Sequence, residues 1–340
     1  MGVKCLAVTG FPGWLTQALL DDLTACDSGL IEVKAFLHPS VFPSSADLRK
    51  RNPILSSVHP LDLGRTDDSP ESVEAALRGV DVLIHSAAVI HVDRPADWYR
   101  VNTEGTIRLA QAARAAGVRR FVFISSNAAG GRCESDTQVL TESDPARPLS
   151  DYGRSKLLAE QALMEMHRQG VFEIVVLRPS MFYGPPVPDR HVDVYRRIIS
   201  GRMPMVGDGH YRRSITYIGN LVQATRLAMS HPAASGEIFY VVDEPVYTTR
   251  SITQAMAAAL GVPLRILQLP AIAGPIAYRA DRVLASAGIY WKNLHLVGEA
   301  HWHVALSCGK IQRCLGYAPS VTINEGMVCA VEWCRREGKL

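Results

Sequence analysis

A tyrosine and a lysine four residues apart are the first residues in this sequence whose spacing suggests chemistry. Tyr152 and Lys156 lie in the run DYGRSK at the start of a predicted helix, so both side chains project from one helical face. A phenol has an ordinary pKa of roughly 10, and a nearby ammonium group favours its ionised form. Such a tyrosine can exchange a proton with a substrate oxygen, although the same spacing is also common in surface pairs.

Two serines at the end of a predicted strand support the chemical interpretation. Ser125 and Ser126 close the apolar run FVFISS. A hydroxyl at the carboxyl edge of a sheet can hydrogen-bond the oxygen that the tyrosine protonates, whereas strand-end capping is the alternative for both serines. We predict Ser126, Tyr152 and Lys156 as catalytic residues and Ser125 as a neighbouring cofactor contact.

A glycine turn between the first predicted strand and the first predicted helix indicates an anion site. Glycine lets the backbone turn tightly and approach a pyrophosphate, and the helix that follows offers free N–H groups. Thr16 stands where a third small residue is usual, which predicts looser packing there or a hydroxyl near the cofactor. The turn therefore predicts a dinucleotide contacted by Gly10, Phe11, Pro12, Gly13 and Trp14.

The residues after the later strands indicate which dinucleotide binds. NAD sites usually carry Asp or Glu at the end of the second strand, where this chain reads FLHPS. The missing acid, with Lys34 and Ser40 nearby, favours NADP(H) over NAD(H). Asp62 could accept the adenine amino group or cap a turn, and His85 is interpreted as a packed histidine. The further predicted cofactor contacts are His38, Asp62, Leu63, Ser86, Ala87 and Ala88.

The elements that must position these residues alternate between short apolar runs and longer amphipathic ones. Strands are predicted at 3–9, 33–37, 81–85, 121–125 and 171–177, and helices at 13–26, 70–79, 95–116 and 150–168. This alternation predicts an α/β fold whose parallel sheet binds ligands beyond its carboxyl ends. After Pro179 the rhythm breaks, which predicts a cofactor domain over 1–180. A smaller substrate cap is predicted over 181–340, with segments of about 211–242 returning to the main domain.

Composition limits the class of protein and of partner. The 340 residues are 47% hydrophobic and 20% charged, as in packed soluble proteins. The net charge of +3 is too small to favour nucleic acid or an anionic membrane as the main partner, and no apolar run predicts a spanning helix. Seven scattered cysteines predict reduced thiols in a cytoplasmic protein. No metal is expected at those cysteines or at His301 and His303, which would not share a helical face.

Taken together, these segments resemble the extended short-chain dehydrogenase/reductase family. More closely, they are similar to its NAD-dependent epimerase/dehydratase group, with features of 3β-hydroxysteroid dehydrogenases. The motifs that carry the resemblance span nearly the whole chain: TGFPG (9–13), LDL (61–63), HSAA (85–88), VNTEGT (101–106), FVFISS (121–126), YGRSK (152–156), LRPSMFYGP (177–185), YIGNLVQA (217–224) and LGYAP (315–319).

The resemblance implies a Rossmann-type doubly wound sheet and a Ser126–Tyr152–Lys156 triad in which Lys156 also binds the nicotinamide ribose. It further implies that Pro179 and Ser180 flank the nicotinamide, that Asn102 is structural or cofactor-side, and that helices 95–116 and 150–168 form a homodimer. Thr16, Gly219 and Ser307 depart from the family pattern, which puts local packing in doubt.

Three reactions share such a site: alcohol–ketone interconversion, epimerisation and 4,6-dehydration. Asn127 and Ala128 follow Ser126 where a dehydratase needs an Asp-Glu pair, which disfavours dehydration. The segment GDGHYRRS (207–214) resembles the place where nucleotide-sugar enzymes hold a diphosphate with arginine, which favours an epimerase. An apolar helix predicted over 269–289, buried or facing the substrate, instead favours a hydrophobic alcohol or ketone.

We therefore expect a small-molecule oxidoreductase that interconverts a secondary alcohol and a ketone, with Tyr152 as general acid and base. A nucleotide-sugar epimerase that holds NAD(P) tightly is the alternative. A non-catalytic cofactor-binding protein is a second alternative, disfavoured by the intact triad. The candidate substrate contacts are Asn127, Met181, Phe182 and Arg213.

Overall fold

Strands and helices alternate along the first half of the chain, as the sequence predicts. The computed structural model describes residues 3–26, 32–65, 70–170 and 172–340. The strands are β1 (Cys5–Thr9), β2 (Glu32–Leu37), β3 (Leu55–Pro60), β4 (Val82–His85), β5 (Arg120–Ile124), β6 (Glu173–Pro179), β7 (Met181–Tyr183), β8 (Met203–Val206), β9 (Arg212–Arg213), β10 (Ile215–Tyr217), β11 (Glu237–Val241), β12 (Tyr247–Thr248) and β13 (Ile266–Leu269).

The helices cover both faces of the sheet and most of the second half of the chain. They are α1 (Trp14–Ala25), α2 (Ser45–Arg51), α3 (Pro70–Leu77), α4 (Ala96–Trp98), α5 (Thr106–Ala115), α6 (Asn127–Gly130), α7 (Asp151–Arg168), α8 (Asp189–Ile199), α9 (Ile218–Ser230), α10 (Thr249–Leu260), α11 (Ala273–Ser286), α12 (Lys292–Glu299), α13 (Gly309–Leu315) and α14 (Ile323–Arg336). None of the helices in the described ranges is long and apolar enough to cross a membrane.

A seven-stranded parallel sheet forms the centre of the fold, in the order β11-β6-β5-β4-β1-β2-β3. Its strands are nearly continuous apolar runs because both faces are covered, one by a core that includes Leu19 and Leu221 and the other by a core that includes Leu109 and Leu163. This Rossmann-type α/β fold confirms the predicted fold class.

The strand order reverses between β1 and β4, which lie side by side although β2 and β3 separate them in sequence. Thr9 pairs with His85 at the carboxyl ends of these two strands. Ligands of open α/β sheets bind in the crevice at such a reversal. The glycine turn after β1 and the small residues after β4 therefore meet at the edge where a cofactor is expected.

The predicted helix over 95–116 is interrupted. A π-helical turn over Tyr99–Gly105 separates α4 from α5. Gly105 lies against the main chain of Leu63, where a Cβ would clash, so the chain passes close to the residues after β3. Turns of this kind often accommodate a packing or functional constraint that a regular helix cannot meet.

The predicted start of the strand at Val171 lies outside the described residues.

The second half contains three two-stranded sheets, β10-β7, β12-β9 and β13-β8, together with helices α8 to α14. Strand β11 joins the main sheet next to β6, and α9 packs on α1. The two-domain division at residue 180 stays a prediction.

The expectation that the apolar helix over 269–289 is buried is wrong, and the alternative that it faces the substrate stays a prediction. The helix is α11, and it exposes an apolar stripe in which Ile276 is 58% and Val283 is 69% exposed. Its other side packs on α12 through Gly298, which lies against the main chain of Tyr278. His301 and His303 follow α12 in a turn rather than lying on a helix.

Candidate active site

The glycine turn forms a cradle for an anion at the start of α1. Gly10 has a φ of +81°, and a Cβ at this position would lie 2.7 Å from the nitrogen of Ala87. Glycine is therefore required both by the backbone conformation and by the close approach of the loop after β4. Gly13 caps α1 without any side-chain hydrogen bond, and the first turn of the helix contains no acid.

This cradle fits the pyrophosphate of a dinucleotide. The first N–H groups of α1 have no side-chain partner, and the positive end of the helix dipole faces the turn. Thr16 is fully buried, and its hydroxyl donates to the carbonyl oxygens of Gly10 and Gly13, both at 3.0 Å. The hydroxyl thus braces the turn, which corrects the expectation of looser packing at Thr16.

A buried histidine fixes the floor of the crevice between β1 and β4. Both ring nitrogens of His85 are used, Nδ1 with the hydroxyl of Thr9 at 2.7 Å and Nε2 with that of Thr106 at 2.8 Å. Burial, and then the charge of Lys156, lower the pKa of His85 to about 3, so the ring is neutral. His85 is the packed histidine that the sequence predicts.

Tyr152 and Ser126 meet above the carboxyl end of β5. Ser126 caps the short helix α6, and its oxygen accepts from the nitrogen of Ala128 at 3.2 Å. The hydroxyl of Ser126 also lies near enough to the Tyr152 phenol to influence its ionisation. Burial raises the pKa of Tyr152, while the interaction with Ser126 and the charge of Arg190 lower it, and the net shift is upward. The phenol is therefore protonated at neutral pH.

Lys156 projects from the same face of α7 but is directed toward the sheet. Its ammonium group donates to the carbonyl oxygen of Ile124 at 2.8 Å and lies 4.1 Å from the centre of the Phe123 ring. Burial lowers the pKa of Lys156 to about 7, although the charge of Glu160 acts in the opposite direction. Ser126 and Arg190 are the groups that lower the pKa of Tyr152 in this structure, and the role of Lys156 in favouring the phenolate stays a prediction.

A fully satisfied ionic cluster supports Lys156 from behind. Glu160 is 1% exposed and accepts two hydrogen bonds from Arg178, at 3.0 Å on one carboxylate oxygen and 2.6 Å on the other. Ser125 donates to the same carboxylate at 2.5 Å, and Arg178 lies over the ring of Tyr240. We call these four residues the sheet cluster. Its geometry shows why Ser125 is needed at the strand end: it anchors Glu160 one helical turn beyond Lys156.

Comparison with known proteins places this constellation in a family. Residues 6–242 match the NAD dependent epimerase/dehydratase family. The chain belongs to that family. An uncharacterised protein, y4nL of Sinorhizobium fredii, is 35% identical over 100% of this chain and 97% of its own length. A UDP-glucose 4-epimerase of Vibrio cholerae is 33% identical over 78% of this chain and 79% of its own.

A ketoreductase of the same family is similar over nearly the full length. The 4-hydroxy-2-methyl-3-oxo-4-farnesyl-3,4-dihydroquinoline-1-oxide ketoreductase of Stigmatella aurantiaca is 28% identical over 94% of this chain and 93% of its own. Among solved structures, the dTDP-glucose 4,6-dehydratase DesIV of Streptomyces venezuelae, with NAD and TYD bound, superposes with a TM-score of 0.75 at 25% identity. That alignment covers 98% of this chain and 97% of the other. The protein is thus an extended short-chain dehydrogenase/reductase, a class of NAD-dependent enzymes.

Several residues predicted to contact the cofactor have side chains that are packed in the cores or hydrogen-bonded to neighbouring loops. Phe11 and Leu63 are buried in the two cores, so only their main chains can face a cofactor. The amide of Asn102 is fully used, bonding both main-chain groups of Val89 and the hydroxyl of Ser155. The hydroxyl of Ser180 donates to the carbonyl of Ser214 at 2.6 Å. These residues shape the crevice by holding its loops together.

The ends of β2 and β3 bring His38 and Asp62 together. The ring of His38 bonds the hydroxyl of Ser40 at 2.8 Å, and its other nitrogen lies 3.9 Å from the Asp62 carboxylate. Lys34 does not take part, because its ammonium group donates to main-chain carbonyls of Ala76 and Arg78. The sequence argument that used Lys34 as support for NADP(H) is therefore corrected.

The four substrate candidates occupy different environments. Asn127 opens α6 next to Ser126 and is half-buried. Met181 is 51% exposed, whereas the ring of Phe182 packs 5.2 Å from that of Trp14. Trp14 also donates to the carbonyl of Gly184 at 3.2 Å, so this predicted cofactor residue joins the glycine turn to the loop after β7.

Arg213, the candidate diphosphate anchor, already has an acidic neighbour. It donates to the main-chain oxygen of Glu299 at 2.7 Å and lies within electrostatic range of the Glu299 carboxylate. That carboxylate pairs with His295 at 3.4 Å, and His295 bonds Asp281 at 2.8 Å. We call Arg213, Asp281, His295 and Glu299 the hairpin cluster, because three of them lie on the α11–α12 pair. Burial alone would lower the pKa of His295. Hydrogen bonds and charges of Glu299 and Asp281 outweigh burial and raise that pKa to about 9.

Sequence reasoning missed Arg190 and the acids that surround the arginines. Arg190 lies in the first turn of α8 and approaches Tyr152 only because the chain folds back after a proline-rich loop. Tyr290 likewise bonds His91 at 3.0 Å and packs edge-on against Trp98, which closes the α11–α12 pair onto the main sheet. No local pattern predicts these contacts, since each joins distant segments.

A cavity of about 830 Å³ lies beside the GDGHYRRS segment. It is lined by Arg212 rather than by Arg213, together with Tyr211 and His303. Arg212 itself donates to the carbonyl oxygens of Asp136 and Gln138. The segment therefore contributes to a recess, but both of its arginines already have protein partners.

Proposed function

We propose that this enzyme reduces a ketone to a secondary alcohol and catalyses the reverse oxidation, with Tyr152 as general acid and base. The observation that carries the proposal is the proximity of the Tyr152 and Ser126 hydroxyls, at the sheet edge that also holds the glycine cradle. The upward shift of the Tyr152 pKa favours the reducing direction, because the protonated phenol is ready to donate.

Each group has a defined task in the proposed reaction. When bound, the reduced nicotinamide supplies the hydride that adds to the carbonyl carbon. Tyr152 donates its proton to the carbonyl oxygen, which yields the alcohol, and the oxidised cofactor then leaves or is re-reduced elsewhere. Ser126 holds the same oxygen by a hydrogen bond that strengthens as negative charge develops there. Lys156 uses one of its three hydrogens on Ile124 and is proposed to bind the nicotinamide ribose with the others.

The substrate is proposed to lack a diphosphate. Arg213 would have to leave the main-chain oxygen of Glu299, beside a carboxylate that pairs with His295, before it could serve a phosphate. The residues from about 181 onward are proposed to form the substrate side, with Asn127, Met181 and Phe182 contacting the ligand. The similarity to a ketoreductase supports this choice.

A nucleotide-sugar epimerase is the second candidate. It is favoured by the position of Arg213 in GDGHYRRS and by the similarity to a UDP-glucose 4-epimerase. In that case the hydride returns to the same carbon on the opposite face, so no net cofactor oxidation occurs.

One experiment separates the two candidates. The purified protein is incubated with NADPH or NADH and either hydrophobic ketones or UDP-glucose, while absorbance of the reduced cofactor and the sugar epimer ratio are followed. Ketone-dependent oxidation of the reduced cofactor, unaffected by added UDP, supports the reductase. Production of a 4-epimer without net oxidation, with competition by UDP, would replace it with the epimerase.

The cofactor is proposed to be NADP(H) in preference to NAD(H). No acid ends β2, and His38 lies between that strand end and Asp62. Since a carboxylate at the strand end accepts hydrogen bonds from the NAD ribose and repels a 2′-phosphate, His38→Asp is expected to shift preference toward NADH. Fluorescence titrations with NADPH and NADH measure the ratio of dissociation constants. Tighter NADH binding by the unaltered protein would contradict this preference without affecting the assignment of Tyr152.

A cytoplasmic location and a homodimer through the faces of α5 and α7 are proposed as well. Seven unpaired cysteines support the first and the exposed Leu158 on α7 supports the second. Cell fractionation and sedimentation of a Leu158→Glu variant test them. Recovery of the protein outside the cytoplasmic compartment would contradict the proposed location. An unchanged sedimentation mass of the Leu158→Glu variant would contradict the proposed homodimer.

A further inference from the structure

The α11–α12 pair, which we call the hairpin, carries an apolar surface that the proposed reaction does not use. Ile272, Ile276 and Val283 lie along one stripe of α11 and are 63%, 58% and 69% exposed. The turn and helix that follow add Ile289, Trp291 and Leu296, each at least half exposed. Scattered apolar residues are ordinary on a surface, but an outward-facing stripe on a helix indicates a partner.

The stripe is not the side of α11 that packs against the rest of this chain. The opposite side of α11 is already buried: Ala277 and Asp281 are 5% and 7% exposed, and Asp281 bonds His295 of α12. Tyr290, between the helices, anchors the hairpin on Trp98. The stripe therefore faces outward from a hairpin that is fixed on its inner side.

The unpaired charges around the stripe have one sign. Residues 261–299 contain four cationic side chains and two acids, a net charge of +2. Both acids, Asp281 and Glu299, pair with His295, and Asp281 is buried. Within the described part of the chain, none of the four cations forms an ion pair. They are all exposed: Arg265, Arg279, Arg282 and Lys292.

We propose that this face of the hairpin docks on an anionic phospholipid bilayer. Apolar side chains beside Arg and Lys, with Trp291 next to Lys292, form the pattern of a helix that lies in a membrane interface. A second copy of the chain fits poorly, because a two-fold contact would set like charges against one another. The binding is peripheral, since the helix is too short to span.

The test is flotation of the full-length protein with vesicles. Vesicles of phosphatidylglycerol and phosphatidylcholine in equal parts are compared with phosphatidylcholine alone. The protein is expected to float only with the anionic vesicles, and less so at high salt. Arg279→Glu with Arg282→Glu is expected to weaken binding about tenfold or more, because each lost cation removes attraction and each new acid adds repulsion. Ile276→Ser with Val283→Ser is expected to weaken it similarly.

Matched controls on α8 separate local from overall effects. Arg197→Glu and Ile199→Ser change an exposed cation and a half-exposed isoleucine of another helix. They are expected to leave flotation unchanged, and circular dichroism checks that every variant is folded. Equal losses in the α8 variants, or no flotation with anionic vesicles, would overturn the proposal. So would a drop in sedimentation mass on replacing Ile276 and Val283, which would mean that a second copy covers the stripe.

Discussion

Two clusters of charged side chains flank the proposed crevice, and they differ in how permanent their charges are. In the sheet cluster, Glu160 and Arg178 are 1% and 4% exposed and joined by two-point hydrogen bonding. In the hairpin cluster, the central residue is a histidine that pairs with the buried Asp281 and the partly exposed Glu299. Burial would lower the already high pKa of Arg178, but Glu160 and then its neighbour Tyr240 raise it, so this guanidinium stays charged, whereas the hairpin cluster loses its central charge in mild alkali.

This difference matches the proposed tasks of the two regions. Lys156 lies on the same helix as the proposed catalytic tyrosine, and the carboxylate of Glu160, held by Arg178, lies one helical turn away. The hairpin is attached through residues far apart in the chain and contains a histidine that can titrate. The comparison predicts a rigid catalytic side and a substrate side whose stability varies with pH.

The largest effect is expected from breaking the sheet cluster. Glu160→Gln leaves the buried guanidinium of Arg178 without a charged partner, which is expected to lower the free energy of unfolding by about 3–5 kcal/mol. Glu165→Gln is the control, because this exposed acid on the same helix pairs with Arg168 at the surface, where water screens the pair and its loss has a much smaller effect. Urea unfolding measures both, and equal losses would mean that the sheet cluster contributes no more than a surface pair.

The hairpin cluster is expected to show its effect through pH. Because the folded pKa of His295 is raised to about 9, its contribution is complete below its unfolded pKa and disappears as pH rises through about 9. That contribution is about 3 kcal/mol, from a shift of roughly 2.5 units. His295→Asn should therefore remove a fall in stability between about pH 6.5 and 9.

The control for this pH effect is His231→Asn. His231 accepts a hydrogen bond from the nitrogen of Ala233 at the start of a short helical turn, and asparagine can make the same bond. Denaturant unfolding across the pH range should show the alkaline fall in this variant as in the unaltered protein. A fall that persists in His295→Asn would show that the hairpin is not what titrates.

A smaller effect is expected at Arg190, whose charge acts on Tyr152 from α8. Its charge lowers the pKa of Tyr152 in the folded protein, so Arg190→Gln should raise that pKa further. The alkaline limb of the kcat/KM profile for ketone reduction should move to higher pH, while Arg197→Gln on the same helix should leave it in place. An unchanged profile in both variants would remove Arg190 from the account of proton transfer.

The sequence predicted what depends on local pattern. The glycine turn, the strand-end serines and the Tyr152–Lys156 spacing each require only a few neighbouring residues, and β1, β5 and α7 appear where apolar periodicity places them. The fold class followed from the same alternation of elements.

Long-range pairings could not be read in this way. Glu299 reaches Arg213 across 86 residues, and nothing near Arg213 reveals the neighbouring acid. The overall charge of +3 also concealed the four cations that lie in residues 261–299. The apolar content of α11 was visible in the sequence, but whether its stripe faces the core or solvent depends on how α12 packs against it.

Replacement of Tyr152 by phenylalanine tests the central claim most directly. The ring keeps its packing but cannot donate a proton, so ketone reduction at saturating NADPH is expected to fall by about 10²–10⁴-fold. The dissociation constant for NADPH, measured by fluorescence on the same preparation, is expected to stay within about twofold of the unaltered protein, because the glycine cradle and Lys156 remain. Turnover close to that of the unaltered enzyme would contradict the assignment of Tyr152 as the proton donor.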